Sequence, residues 1–119
     1  MYKIPEDIDT TFLLGEEVIM VCFNLNQVYI HFESNIQVAI EGEYSIVAAD
    51  GKESLFEVYP VISDNGLLRL LGRKVKQVKI CEFRTDLSIQ FDNDTVINLI
   101  GSDSYECYSI KINERWIIV

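Results

Sequence analysis

The stretch Leu71-Gly72-Arg73-Lys74-Val75-Lys76-Gln77-Val78 echoes an earlier one, Leu14-Gly15-Glu16-Glu17-Val18-Ile19-Met20-Val21. Both read Leu-Gly-charged-charged-Val-x-x-Val, and they start 57 positions apart. A period of that size in 119 residues predicts two copies of one supersecondary unit. The residues downstream of each copy test the idea. Val28-Tyr29-Ile30-His31-Phe32 alternates and is rich in β-branched and aromatic residues, as a half-buried strand should be. Ile36-Gln37-Val38-Ala39-Ile40 alternates too. With Val28, Ile30 and Phe32 facing the core, antiparallel pairing sets Phe32 opposite Ile36. That leaves a three-residue loop, Glu33-Ser34-Asn35, with Asn35 suited to the left-handed third position. In the second copy Leu87, Ile89 and Phe91 face inward with Ile97 and Leu99, and Asp92-Asn93-Asp94 is again a three-residue loop.

The match extends further. Tyr44-Ser45-Ile46 corresponds to Tyr108-Ser109-Ile110, and Leu55-Phe56-Glu57-Val58 is set against Trp116-Ile117-Ile118-Val119. Residues 1–13 read as an irregular or partly extended start, limited by Pro5 and the Asp7/Asp9 pair. One helix of about two turns is expected, capped by Ser63 or Asp64, filled by Leu67, Leu68, Leu70 and Leu71, and stopped at Gly72. The chain thus predicts one all-β domain over 1–119, with repeat 1 at about 14–58, a helical connection at about 63–71 and repeat 2 at about 71–119. The architecture expected is an antiparallel sandwich or partly open barrel built from two β-meanders.

Composition narrows the function classes. A chain that is 49% hydrophobic can bury a real core. The net charge of −9 argues against nucleic acid and anionic membrane surfaces, since phosphates must be met by Lys and Arg. No apolar run approaches a membrane span, and Met1–Asp7 shows no targeting segment. Cys22, Cys81 and Cys107 are odd in number, far apart and without C-x-x-C, which fits free, buried thiols in the cytoplasm. A catalytic constellation is not legible. His31 is the single histidine, and no nucleophile elbow, P-loop or H-E-x-x-H occurs. No cofactor or metal site is expected, and Asp92-Asn93-Asp94 lacks the later glycine and glutamate of a calcium loop.

Charge is uneven along the chain. Residues 1–63 hold 11 acidic and 2 basic residues, whereas residues 64–119 hold 8 of each. Glu16-Glu17 in one repeat became Arg73-Lys74 in the other, as expected if one face acquired a partner. Strand parity turns Tyr29, His31, Gln37, Ala39 and Glu41 outward, with Glu33 and Glu43 at the ends of that hairpin. An aromatic anchor in an acidic rim suits a protein-binding surface, to which Glu53 and Glu57 are added.

The pattern L-G-x-x-V-x-x-V, the alternating strands and the later Tyr105-Glu106-Cys107-Tyr108-Ser109-Ile110 resemble small uncharacterised bacterial all-β domains. In size and charge the chain is also similar to immunity proteins of polymorphic and contact-dependent toxin systems. That resemblance implies an acidic cytoplasmic binding module that occludes a basic toxin domain, with a nuclease as one candidate. The alternative is a structural or regulatory β domain that forms a homodimer.

Overall fold

The computed structural model describes residues 3–5, 10–58, 65–81, 83–102 and 106–119. The strands are β1 (Val18–Phe23), β2 (Val28–Phe32), β3 (Ile36–Ile40), β4 (Glu43–Val47), β5 (Glu53–Glu57), β6 (Val75–Ile80), β7 (Leu87–Phe91), β8 (Val96–Leu99), β9 (Tyr108–Ile112) and β10 (Arg115–Ile118). They form two open antiparallel sheets, ordered β1-β2-β3-β9-β10 and β6-β7-β8-β4-β5. Replacing each strand of the first order by its counterpart in the other repeat reproduces the second. The expected all-β, doubled architecture is the observed one.

The first hairpin has the predicted register, with Phe32 opposite Ile36 and Val28 opposite Ile40. Asn35 and Asp94, last in the two three-residue loops, have φ of 61° and 65°. The same irregularity interrupts both first strands, between Val18 and Met20 and between Val75 and Gln77. Four of the largest fully buried side chains form two repeat-related pairs, Phe32 with Phe91 and Tyr44 with Tyr108. Both buried hydroxyls donate to main-chain carbonyls, Tyr44 to Asn65 at 2.9 Å and Tyr108 to Thr85 at 2.8 Å. Neither phenol is therefore left unsatisfied inside the core.

Four sequence expectations change. The repeats are not self-contained meanders: β3 pairs with β9 and β8 with β4, so each half lends its last hairpin to the other's sheet. The link Glu41-Gly42 carries the chain across the sandwich, and the Cys107 carbonyl accepts from both amides, at 2.8 and 3.0 Å. The helix is a four-residue 3₁₀ turn, Leu67–Leu70, with left-handed Gly66 as its N-cap; Ser63 and Asp64 lie outside the described residues. A matching 3₁₀ turn, Thr10–Leu13, occupies the start read as irregular, so the repeat begins earlier than Leu14. Opposite Tyr44 and Tyr108 stand Phe56 and Val119, so the last strands correspond two residues away from the sequence alignment.

The two Leu-Gly motifs meet at the symmetry axis. Val18 N–H donates to Arg73 O at 3.0 Å and Val75 N–H to Glu16 O at 2.9 Å. Gly15 and Gly72, both at φ 78°, donate to Val75 O and Val18 O at 2.9 Å each. The joint brings Glu17 opposite Lys74. Identical copies would set like charges against each other there, a destabilising arrangement. Opposite charges at this joint thus have an internal reason beside the one expected of a partner. No helix among the described residues is long and apolar enough to cross a membrane.

Candidate protein-binding face

Register alone lays out the outer face of the first sheet. One row runs across five strands as Met20, His31, Gln37, Lys111 and Trp116. The next runs as Cys22, Tyr29, Ala39, Ser109 and Ile118. None of these ten positions carries a carboxylate, in a chain of net charge −9. Trp116 is 51% exposed, Met20 45% and Ile118 43%, with Ile19 at the β1 bulge 55% exposed beside them. The Tyr29 and His31 rings lie 6.3 Å apart, and Lys111 Nζ sits 5.4 Å above the Trp116 ring. A shallow cavity of about 290 Å³ opens on this face, lined by Met20, His31, Gln37 and Lys111 among others.

The second sheet presents the equivalent rows with different chemistry. They read Gln77, Gln90, Val96, Val47 and Glu53, then Lys79, Ser88, Asn98, Ser45 and Leu55. A chain of hydrogen bonds crosses it: Ser88 to Asn98 at 2.5 Å, Asn98 to Ser45 at 2.9 Å, and Ser45 to Glu53 at 2.8 Å. The middle of this face thus satisfies four of its polar side chains internally, while Gln77, Lys79 and Leu55 stay exposed. The first offers apolar and aromatic surface instead.

The residues nominated from sequence do not all share a face. Tyr29, His31 and Gln37 lie on the first sheet, with Glu33 and Glu41 at opposite ends of its β2–β3 hairpin. Glu43, Glu53 and Glu57 belong to the second sheet, where Glu57 stands opposite Glu43. Several carboxylates already have internal work. Glu41 accepts from the Gln27 amide at 2.5 Å, Tyr29 donates its hydroxyl to Gln27, and Glu33 accepts from the Glu17 amide at 3.3 Å. Sequence reading missed Met20, Cys22, Trp116 and Ile118, although the alternation of Trp116, Ile117 and Ile118 was there to be seen.

Of the three thiols only Cys107 is buried; Cys22 and Cys81 are half-exposed, contrary to the expectation for all three. Burial pushes the Cys107 thiol up, and Asp86, Glu43 and Glu41 add to it. At Cys81 burial acts the same way, but bonds from the Asp86 amide, the Thr85 hydroxyl and the Thr85 and Phe83 amides outweigh it and lower the pKa. The Asp86 amide lies 3.2 Å from the sulfur. Among the described residues, no three His, Cys, Asp or Glu side chains are grouped to hold an ion.

No protein-family model, curated protein or solved structure matches this chain. Fold and surface chemistry carry the functional reading by themselves.

Proposed function

We propose that this chain is a protein-binding module whose partner docks on the outer face of the first sheet. The contrast between two pseudo-equivalent faces carries the reading. One is crossed at its middle by a hydrogen-bond chain and its rows are mostly polar, while the other exposes Met20, Trp116 and Ile118 and partly exposes Tyr29 and His31. Met20 on β1 and Trp116 with Ile118 on β10 flank Tyr29 and His31 on β2, and exposed aromatic and methionine side chains of this kind are enriched at interfaces. Glu33 and Glu41 lie at the two ends of the β2–β3 hairpin, and Glu43, Glu53 and Glu57 fall outside the footprint.

The net charge of −9 selects a basic partner, because complementary charge speeds encounter and rejects wrong partners. In its most concrete form the module is an immunity protein that covers a basic toxin domain in the cytoplasm. The face would then act by occlusion, with no chemistry of its own.

The test takes the product of the neighbouring open reading frame as the partner and measures affinity by calorimetry at low and high salt. Tyr29→Ala with Trp116→Ala should weaken binding at least about thirtyfold, as for truncated hot-spot anchors. Gln77→Ala with Gln90→Ala on the other sheet should leave it unchanged. Binding that survives the first pair, or that high salt does not weaken, overturns the reading.

A further inference from the structure

Of the four edge strands, β5 and β10 are repeat counterparts, yet only one of these two is guarded. Bonds between the Tyr108 and Val119 main chains mark that pair as hydrogen-bonded, as the Ala48 amide to Lys52 carbonyl bond does in the β4–β5 hairpin. Antiparallel ladders alternate, so the residues between bonded pairs turn their N–H and C=O away from the neighbouring strand. On β5 these are Glu53, Leu55 and Glu57; on β10 they are Trp116 and Ile118. Carboxylates on an edge strand discourage further pairing, and β5 has two of them at its three outward positions. β10 has none, and its outward side chains are large, apolar and about half exposed.

From this asymmetry we infer that β10 is a pairing edge and that its occupant is β10 of a second copy of the chain. The register is self-complementary. Antiparallel pairing about a twofold axis through Ile117 sets Trp116 against Ile118 of the other copy and Ile118 against its Trp116. Those are the residues with outward main-chain groups, so all four N–H and C=O groups of each edge find partners. The Trp116 and Ile118 side chains fall on the outer face as cross-strand neighbours, an aromatic and β-branched pair of the stabilising kind. The two first sheets then join into one ten-stranded sheet, and their carboxylate-free faces become continuous. An edge of four residues is small beside the ~1,600 Å² of a standard interface, so the dimer belongs to the weak, concentration-dependent class. Each copy carries −9, so added salt should strengthen the dimer by screening the repulsion, the reverse of a contact with a basic partner. The inference does not rest on the proposed function.

Sedimentation velocity on the full chain tests it from about 10 µM to 1 mM, the range of weak complexes. Trp116 is the only tryptophan, so its emission should shift to the blue over the same concentrations. A monomer–dimer equilibrium favoured by salt is expected. Ile118→Lys should weaken it by about tenfold or more, because the change enters the contact twice. Ile118→Pro removes only an amide directed away from β9, and should abolish pairing while the far-UV CD spectrum stays native. Leu55→Lys on β5 should change nothing. A monomer throughout, a dimer unaffected by both Ile118 variants, or species larger than a dimer overturns the inference.

Discussion

Because the halves exchange hairpins, a lesion in the second sheet should be felt by a reporter in the first. Ile30 and Ile89 are repeat counterparts at the centres of β2 and β7, and both are fully buried. Ile→Ala deletes three carbons, or roughly 2.4 kcal/mol at ~0.8 kcal/mol per buried CH₂. The residual cavity raises this to about 3–4 kcal/mol. A domain of this size is stable by only about 6–18 kcal/mol, so either change removes a sizeable share of it. Urea unfolding of each single variant should be followed by far-UV CD and by Trp116 fluorescence, which reports from β10 in the first sheet. Ile89→Ala should lower both midpoints equally, and Ile30→Ala should match it within about 1 kcal/mol, the scatter at fixed chemistry. If Ile89→Ala shifts the CD midpoint and leaves the Trp116 midpoint in place, the sheets unfold separately and the shared core is refuted.

Gly101→Ala should be strongly destabilising in thermal melts, because a Cβ there would sit 2.3 Å from the Thr85 carbonyl oxygen; an unchanged midpoint would rule out that packing. Iodoacetamide under native conditions should modify Cys81 well before Cys107, since hydrogen bonds lower one thiol while burial and carboxylates raise the other; peptide mapping decides the order. Burial pushes the phenols of Tyr44 and Tyr108 up, so they stay neutral in the folded chain where the unfolded chain ionises. Their contribution to stability is therefore complete below the ordinary tyrosine range near ~10 and is lost progressively as pH rises from there toward the raised values of the folded chain. Tyrosinate absorbance of Tyr44→Phe with Tyr108→Phe should lack the component that appears together with the loss of CD signal. Lys76→Met should change stability by less than about 1 kcal/mol, because its 3.0 Å pair with Asp94 is exposed on both sides.

The strands and hairpin loops were legible because local rules decide them. A period of two fixes which residues share a face, and Asn35 and Asp94 take the left-handed positions that close the loops. Strand exchange was not legible: Val38 is satisfied equally well beside Ile110 as beside a residue of its own repeat, and parity is identical in both cases. Only Gly42, where an added Cβ would lie 3.3 Å from Cys107 Cβ at the crossing, hints at the close approach of a distant segment. The missed 3₁₀ turn had a signal in Leu13-Leu14-Gly15, which matches Leu70-Leu71-Gly72. The candidate face was half legible, because Tyr29, His31 and Gln37 follow from one hairpin. Lys111, Trp116 and Ile118 join it only through the exchanged strands, and Met20 is placed by a bulge.

The covalent link between the halves has a consequence beyond the core. Two separate chains exchanging hairpins in this way would hold together only above some threshold of abundance, and each would have to accept every mutation in both surfaces at once. One continuous polypeptide escapes both constraints. Its assembly no longer depends on dilution, and a change such as Met20 against Gln77 can be made on one side of the molecule while the other side keeps its old chemistry.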